Sequence, residues 1–343
     1  MLKPIIKIAA VTTALTAHAM LQAQTPVKNT VTVDNFARAE STRFFSTVVS
    51  RGGFGQFTHN RQLVPIEMQP VVRLNRDTLY SSAVFDLDAG PVTVTLPDSG
   101  GRYFSMIAIN EHENTPGVVY KAGSYTYSKQ DVGSRYVVLG VRTMVNPNDA
   151  KDVQAAHALQ DAIKVRQEGG AGKFEMPAWD PASQDKVRAA LLALAATVPD
   201  SRGMFGRQDQ VDPVRHLLGS AAAWGGNPEK DALYLNITPA QNDGSVVHRF
   251  KVKDVPVNAF WSVSVYNGAG YFEKNPYNAY TLNNLTAEKD RDGAVTVQFG
   301  GCDGKIANCL PTLPGWNYMV RLYQPGEAIL SGTWHFPEAT PIR

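Results

Sequence analysis

The sequence is short of several things, and each shortage excludes something. Only two of the 343 residues are cysteine, so neither a mesh of disulfides nor a four-cysteine zinc cluster holds the chain together. Charge is sparse and balanced, with Lys+Arg 33 against Asp+Glu 31. No Lys/Arg-rich run occurs, and without excess positive charge nothing displaces counterions from phosphates, so nucleic acid and anionic membrane are excluded as partners. No apolar run reaches the ~20 residues that span a bilayer. The nucleophile elbow Gly-x-Ser-x-Gly is absent. His59, His157, His248 and His335 lack the spacing of a zinc fingerprint, so no metal and no cofactor are expected.

What is present is the composition of an ordinary folded protein, 43% hydrophobic with 28 Gly and 21 Pro. The length predicts two domains, each able to bury a core without a metal. The first 23 residues have the layout of a signal peptide. Lys3 and Lys7 precede an apolar stretch from Ile8 to Ala17, and Ala17-His18-Ala19 or Leu21-Gln22-Ala23 supplies the small-residue cleavage site. The expectation is a periplasmic or secreted protein. Cleavage removes two lysines and no acid, leaving the mature chain formally neutral. In an oxidising compartment Cys302 and Cys309 read as a disulfide closing a small loop.

Residues 30–147 read as an N-terminal β-sandwich, 148–228 as a helical connector and 229–343 as a C-terminal β-sandwich. In the first block Phe36 to Val49 is helix-compatible. Strands are predicted at Ala83 to Leu87, Val92 to Leu96, Tyr103 to Asn110, Val118 to Tyr127 and Tyr136 to Val141. Turns are expected at Asp98-Ser99-Gly100-Gly101 and Ala122-Gly123-Ser124, the former a hairpin. The connector should hold three helices, with Asp180-Pro181 and Asp212-Pro213 each reading as an N-cap followed by Pro at the first helical position, and Gly225-Gly226 as the final stop. Gly169-Gly170-Ala171-Gly172-Lys173 looks like a phosphate loop only superficially. Phe174 stands where Ser or Thr belongs, and the stretch is expected to be a flexible connection after a helix. Strands return at Leu233 to Ile237, Val246 to Val252, Phe260 to Tyr266, Ala294 to Phe299 and Tyr318 to Tyr323. Alternation puts Trp261, Val263 and Val265 on the core face of their strand. Asp290-Arg291-Asp292-Gly293 reads as a hairpin turn, since the remaining ligands of a calcium loop are missing.

Leu74-Asn75-Arg76-Asp77-Thr78-Leu79-Tyr80-Ser81, Phe85-Asp86-Leu87, Pro91 to Pro97 and Arg102-Tyr103-Phe104-Ser105 resemble the bacterial domain of unknown function 1254. The second half resembles its usual partner, domain of unknown function 1214, through Ala259-Phe260-Trp261-Ser262, Tyr266, Asn275-Pro276, Tyr280-Thr281-Leu282-Asn283, Asp292-Gly293, Asn308-Cys309-Leu310-Pro311 and Arg321-Leu322-Tyr323-Gln324-Pro325. The resemblance implies two jelly-roll-like antiparallel sandwiches with helical additions, export in many relatives, and no settled activity. Cys309 stands where the family often has Trp, which places the chain in a short cysteine-pair subgroup.

Two clusters could carry chemistry. Asn75, Arg76, Asp77 and Tyr80 form the densest polar group, in which a guanidinium can fork onto an anion while Tyr80 and Asn75 orient it. The alternative is a buried Arg76–Asp77 pair. Glu111-His112-Glu113 follows a strand. Continued extension would put both glutamates on one face as an acid–base pair, with His112 as an alternative base, and the plainer reading is a solvated loop tip. His216 is expected to be a packing residue. The favoured function is binding of a small polar or anionic ligand in a cleft between the sandwiches, walled by Tyr80, Trp261, Tyr266 and Tyr280, with Arg76 or Arg142 fixing the anion. A metal-independent hydrolase or lyase and an assembly module are the alternatives, and the oligomeric state is left open. Protein recovered after export is expected to begin at Met20 or Gln24. N-terminal sequencing checks this, and a retained Met1 would count against the signal.

Overall fold

The computed structural model describes residues 28–69 and 71–342. The signal-peptide expectation for residues 1–23 lies outside them. The first block opens with α1 (Phe36–Ser50) and continues through β1 (Thr58–His59), β2 (Thr78–Asp86), β3 (Val92–Leu96), β4 (Phe104–Asn110), β5 (Gly117–Val119), β6 (Gly123–Tyr127), a single turn α2 (Lys129–Val132) and β7 (Tyr136–Met144). The insert holds α3 (Ala150–Asp161), β8 (Lys164–Gln167), α4 (Pro181–Ala195) and α5 (Pro213–Ala222). The last block holds β9 (Ala232–Ile237), β10 (His248–Val252), β11 (Trp261–Tyr266), β12 (Thr281–Asn283), β13 (Val295–Phe299), β14 (Cys309–Leu310), β15 (Asn317–Tyr323), α6 (Glu327–Leu330) and β16 (Thr340–Pro341). None of the described helices is long and apolar enough to cross a membrane.

The fold is mainly β with a helical insert, as expected. In the first half a five-stranded sheet, ordered β1-β2-β7-β4-β5, packs on a three-stranded sheet, β6-β3-β8. Ala83, Phe85, Val94, Met106, Leu139 and Val141 fill the space between them. In the second half sheet β14-β13-β10-β16 packs on sheet β12-β11-β15-β9 around Phe250, Trp261, Val263, Phe299, Trp316 and Tyr318. Among the described strands all pairings are antiparallel except β13 with β14, and two isolated bridges, Asn29 with Trp179 and Phe54 with Val84, are parallel.

Several local expectations need correction. The stretch Val118 to Tyr127 is two strands in different sheets, because the chain turns at Lys121-Ala122 and Gly123 already opens β6. Asp98 to Gly101 joins β3 to β4, which also lie in different sheets, so it is a crossover and not a hairpin turn. The same holds for Asp290 to Gly293, which links the β12 sheet to the β13 sheet. The insert is not purely helical, since β8 pairs with β3 and completes the first sandwich. A strand therefore precedes the glycine run at 169–172. That run is anchored, with Lys173 N donating to Asp86 Oδ2 at 3.1 Å and Tyr136 Oη donating to Lys173 O at 2.7 Å.

The helix starts fall where the caps predicted. Asp180 accepts from Ser183 N and Asp212 from Val214 N and Arg215 N, with Pro next in each case. Each such cap contributes about 1 kcal/mol. Cys302 and Cys309 form a disulfide with Cα atoms 5.7 Å apart. It closes a loop of about eight residues, which by loop-closure entropy stabilises the fold by about 2.5 kcal/mol. Replacing both cysteines by Ser is expected to lower unfolding free energy by about 2 to 3 kcal/mol while both cores still fold. Denaturant titration measures this, and an unchanged midpoint would show that the loop is held by other contacts.

Candidate functional site

The site grows from the polar faces of two sheets. Across β2, β7 and β4 the register aligns Tyr80 with Arg142 and Arg142 with Ser105. Their neighbours Val141, Phe104 and Met106 point into the first core, so period-two alternation turns this row outward. Across β11, β15 and β9 the register aligns Ser262 with Arg321 and Arg321 with Tyr234, while Trp261, Val263, Val320 and Leu322 point into the second core. The two rows face one another. Ser262 Oγ donates to Asp77 Oδ2 at 2.6 Å, Arg321 Nη2 donates to the Arg73 carbonyl at 2.8 Å, and the Tyr103 ring lies 5.1 Å from Phe260 and 5.4 Å from Tyr323. The expectation of one buried face for β11 is thus corrected to two, because its serine side is covered by the other domain.

Each row has an arginine, and neither has a carboxylate partner among the described residues. Arg142, 7% exposed, donates through Nη1 to Asn227 Oδ1 and through Nη2 to the Gly225 carbonyl, both at 2.8 Å, and lies 5.7 Å from the Tyr80 ring centroid. Arg321, 2% exposed, donates to Ser264 Oγ at 2.8 Å and to Tyr266 Oη at 2.6 Å. Half-buried Arg102 and Arg135 are paired with Asp152 and Asp86, whereas Arg73 and Arg76, also half-buried, donate to the neutral acceptors Asn317 Oδ1 and the Val64 carbonyl. Arg142 and Arg321 are the more deeply buried of these unpaired arginines. Phenols crowd the seam. Tyr80, Tyr234, Tyr103 and Tyr323 all lie within electrostatic reach of Arg142. Tyr80 Oη accepts from Asn75 Nδ2 at 3.0 Å, Tyr103 Oη from Ser105 Oγ at 3.2 Å, and Tyr234 Oη from Asn227 N at 3.3 Å. An acceptor phenol keeps its own proton free to donate. Burial pushes the hydroxyls of Tyr103, Tyr234 and Tyr323 up, so they remain neutral donors at physiological pH. Burial also raises the Asp77 carboxyl, against the pull of Arg321 and the Ser262 hydrogen bond, and its Oδ1 has no partner.

Of the residues singled out from the sequence, Asn75, Asp77, Tyr80, Arg142 and Tyr266 come together here. Arg76 does not pair with Asp77. Its Nη1 donates to the Val64 carbonyl, and its guanidinium sits 5.4 Å from the Tyr280 ring and 6.0 Å from Phe272. It fastens the segment before β2 to the second domain, and Tyr280 is buried in that contact. Trp261 lies on the far side of β11, in the core against Phe250 and Phe336. Sequence reasoning missed Tyr103, Asn227, Tyr234, Arg321 and Tyr323. Arg321 had a signal, a charge set between Val320 and Leu322 in an otherwise buried strand.

The Glu111 to Glu113 stretch is neither a solvated tip nor an extended pair. The strand ends at Asn110, and Glu113 has φ 61°, so the chain turns and both glutamates go inside. Glu111 Oε2 accepts from Arg135 N at 3.0 Å and Tyr136 N at 3.3 Å, and Oε1 from Arg38 at 3.1 Å. Those bonds leave it no acid–base duty. The His112 ring is on the surface. His216 packs as expected, with Nδ1 2.9 Å from Met204 O and Nε2 3.0 Å from His112 O. Glu113, 1% exposed, accepts from Gly225 N at 3.0 Å. Among the described residues no group of three or more His, Cys, Asp or Glu side chains is placed to hold a metal ion. A surface groove of about 260 Å³ beside the disulfide loop is lined by Arg249, Glu288, Lys289 and Asp290 among others. Its lining mixes Arg249 and Lys289 with Glu288 and Asp290, so charges of both signs offset one another there.

Residues 54–140 match the family described as protein of unknown function DUF1254, and residues 238–327 match the one described as protein of unknown function DUF1214. The chain belongs to the proteins that join these two domains in this order, in their cysteine-pair form. It is similar in structure to the VPA0106 protein of Vibrio parahaemolyticus, with TM-score 0.69 and 19% identity over 91% of this chain and 98% of that one. It also resembles an uncharacterised protein from Burkholderia cenocepacia, with TM-score 0.51 and 14% identity over 86% of this chain and 85% of that one. At these identities the likeness establishes the fold. The comparison with curated proteins returned no match.

Burial holds the Glu113 carboxyl at about 7, against the pull of His216 and hydrogen bonds, from an unfolded value near 4.5. The native state therefore binds the proton more tightly than the unfolded chain, and stability is lost as pH rises between those two values. Relative to wild type, Glu113→Gln is expected to gain on the order of 2 kcal/mol of stability at pH 8 over pH 5. Urea titrations at the two pH values measure the difference, and equal effects at both would show that Glu113 ionises as freely as in the unfolded chain.

Proposed function

We propose that this is an exported binding protein whose ligand is a small organic anion, held by its carboxylate against Arg142 in the seam between the two sandwiches. The observation that carries this reading is a guanidinium 7% exposed with only neutral acceptors. Desolvating a cation costs several kcal/mol, and uncharged acceptors offset only part of it. An incoming carboxylate offsets the rest, and four phenols within reach of the same charge supply donors to its oxygens and apolar walls for its carbon skeleton. The signal-peptide pattern supports export, and the disulfide fits an oxidising compartment. The acid–base alternative loses its support because Glu111 is committed to backbone amides and Arg38.

The reading separates Arg142 from a structural arginine. Arg142→Met keeps much of the volume and removes a charge that nothing neutralises, but it leaves Asn227 Oδ1 and the Gly225 carbonyl without their donor, so the ligand-free protein is expected to lose about 1 to 2 kcal/mol, the cost of the orphaned acceptors. Arg142→Lys keeps the charge without the planar fork and is expected to weaken binding about tenfold. A thermal-shift panel of acetate, benzoate, phosphate and sulfate on the mature protein provides the assay, since a ligand at a hundred times its dissociation constant stabilises by about 2.7 kcal/mol. A loss of about 3 to 5 kcal/mol in Arg142→Met, with no anion response in wild type, would make Arg142 a fold residue and overturn the proposal.

A further inference from the structure

Glu113 is the one residue of the 111–113 stretch left without a structural duty that accounts for its chemistry. Its Oε1 accepts from Gly225 N at 3.0 Å, and the carbonyl of that same glycine accepts from Arg142 Nη2 at 2.8 Å. Its Oε2 is buried with no hydrogen-bond partner. Through one residue, then, a buried carboxyl group and the anion-holding guanidinium are fixed to each other. Adding the two hydrogen bonds to the span of a glycine puts them at most about 10 Å apart.

We propose that Glu113 is a proton-linked positioning residue for the Arg142 site, setting the Gly225 carbonyl that aims the guanidinium and taking up a proton when an anion binds. The inference rests on the reading of Arg142 given above. A carboxylate placed against Arg142 repels the charge of Glu113 through a seam of low polarity. The anion lies one contact beyond the guanidinium, and at an effective dielectric near 20 two like charges about 10 to 14 Å apart shift the balance of protonation by roughly tenfold. The groups facing Glu113 fix the direction of the effect. Glu40 of α1 repels it, His216 of α5 attracts it, Ser220 of α5 lies beside it, and the Gly225 amide holds it. Glu40 is itself neutralised by Arg43 and Arg188. The nearby Glu111 is paired with Arg38, and His112 lies in the surface turn between them. A bound anion adds one more repelling charge, and protonation of the carboxyl relieves it without breaking the hydrogen bond to Gly225 N, which the carbonyl oxygen of the neutral acid still accepts.

The test is calorimetric titration of the mature protein with acetate and with sulfate, both fully ionised at pH 6 to 8, in two cationic buffers of different ionisation enthalpy. Wild type is expected to bind about tenfold more tightly at pH 6 than at pH 8 and to take up a fraction of a proton at pH 7.5. In Glu113→Gln, which preserves the acceptor for Gly225 N, the affinity is expected to be flat with pH and the proton uptake gone. Were that variant unable to fold, the buffer dependence of the wild-type enthalpy decides alone. Anion binding with no proton uptake, or a pH slope that survives in Glu113→Gln, overturns this inference and leaves the Arg142 reading standing. No binding of either anion at pH 6 overturns both.

Discussion

Two guanidinium groups facing one desolvated seam, one from the middle of each major sheet, are the constraint around which the rest of the molecule is arranged. A buried charge must be answered by hydrogen bonds, by a counter-charge, or by the cost of leaving it bare. Arg321 is answered by a full set of neutral acceptors, among them the carbonyls of Arg73 and Leu74, Ser264 Oγ and Tyr266 Oη, with Asp77 beyond them. Those carbonyls belong to the other domain. The demand of one arginine for acceptors therefore docks the segment before β2 onto β15, and Tyr266 Oη, itself donating to the Leu74 carbonyl at 3.0 Å, clamps the same point. Domain docking and charge solvation are the same contacts.

Arg142 is treated differently, and the difference separates support from site. Its acceptors are fewer, its ring partner Tyr80 is held by Asn75, and burial keeps the hydroxyls of Tyr103, Tyr234 and Tyr323 around it neutral. No counter-charge among the described residues answers it, and the desolvation of a buried cation is only partly offset by neutral acceptors. An arginine kept there carries a desolvation cost that the proposed anion would offset.

Much of the scaffold was legible in the sequence, since local chemistry specifies it. Asp180 and Asp212 cap their helices because a carboxylate followed by Pro does this in any context. Cys302 and Cys309 pair because they are close in sequence. The site was legible only in part. Arg142 and Tyr80 were visible, but their partners lie elsewhere in the chain, at Asn227, Tyr234, Arg321 and Tyr323, and no spacing rule links segments that meet only after folding. The alternation in β11 was read correctly and its meaning was not. Ser262 and Ser264 alternate with the core residues, and they donate and accept within a second buried interface. The glutamates after β4 misled for a related reason. Continued extension would put them on one face, and a positive φ at Glu113 breaks the period.

The helical insert gains a purpose from this geometry. Between the last turn of α5 and the first strand of the second sandwich the chain passes Gly225, Gly226 and Asn227, and from these three residues Arg142 takes both of its acceptors. Gly225 has φ 79°, a conformation that side-chained residues rarely adopt. At Gly226 an added Cβ would lie 2.3 Å from the Phe205 ring, so the backbone can run this close only without one. The glycine pair that reads as a plain helix stop is thus the piece that brings a carbonyl and an amide to a buried cation. The site belongs to neither sandwich. It needs a strand from the first, a strand from the second and the end of the insert, and displacing α5 or the turn after it would shift the acceptors of Arg142 without touching either core.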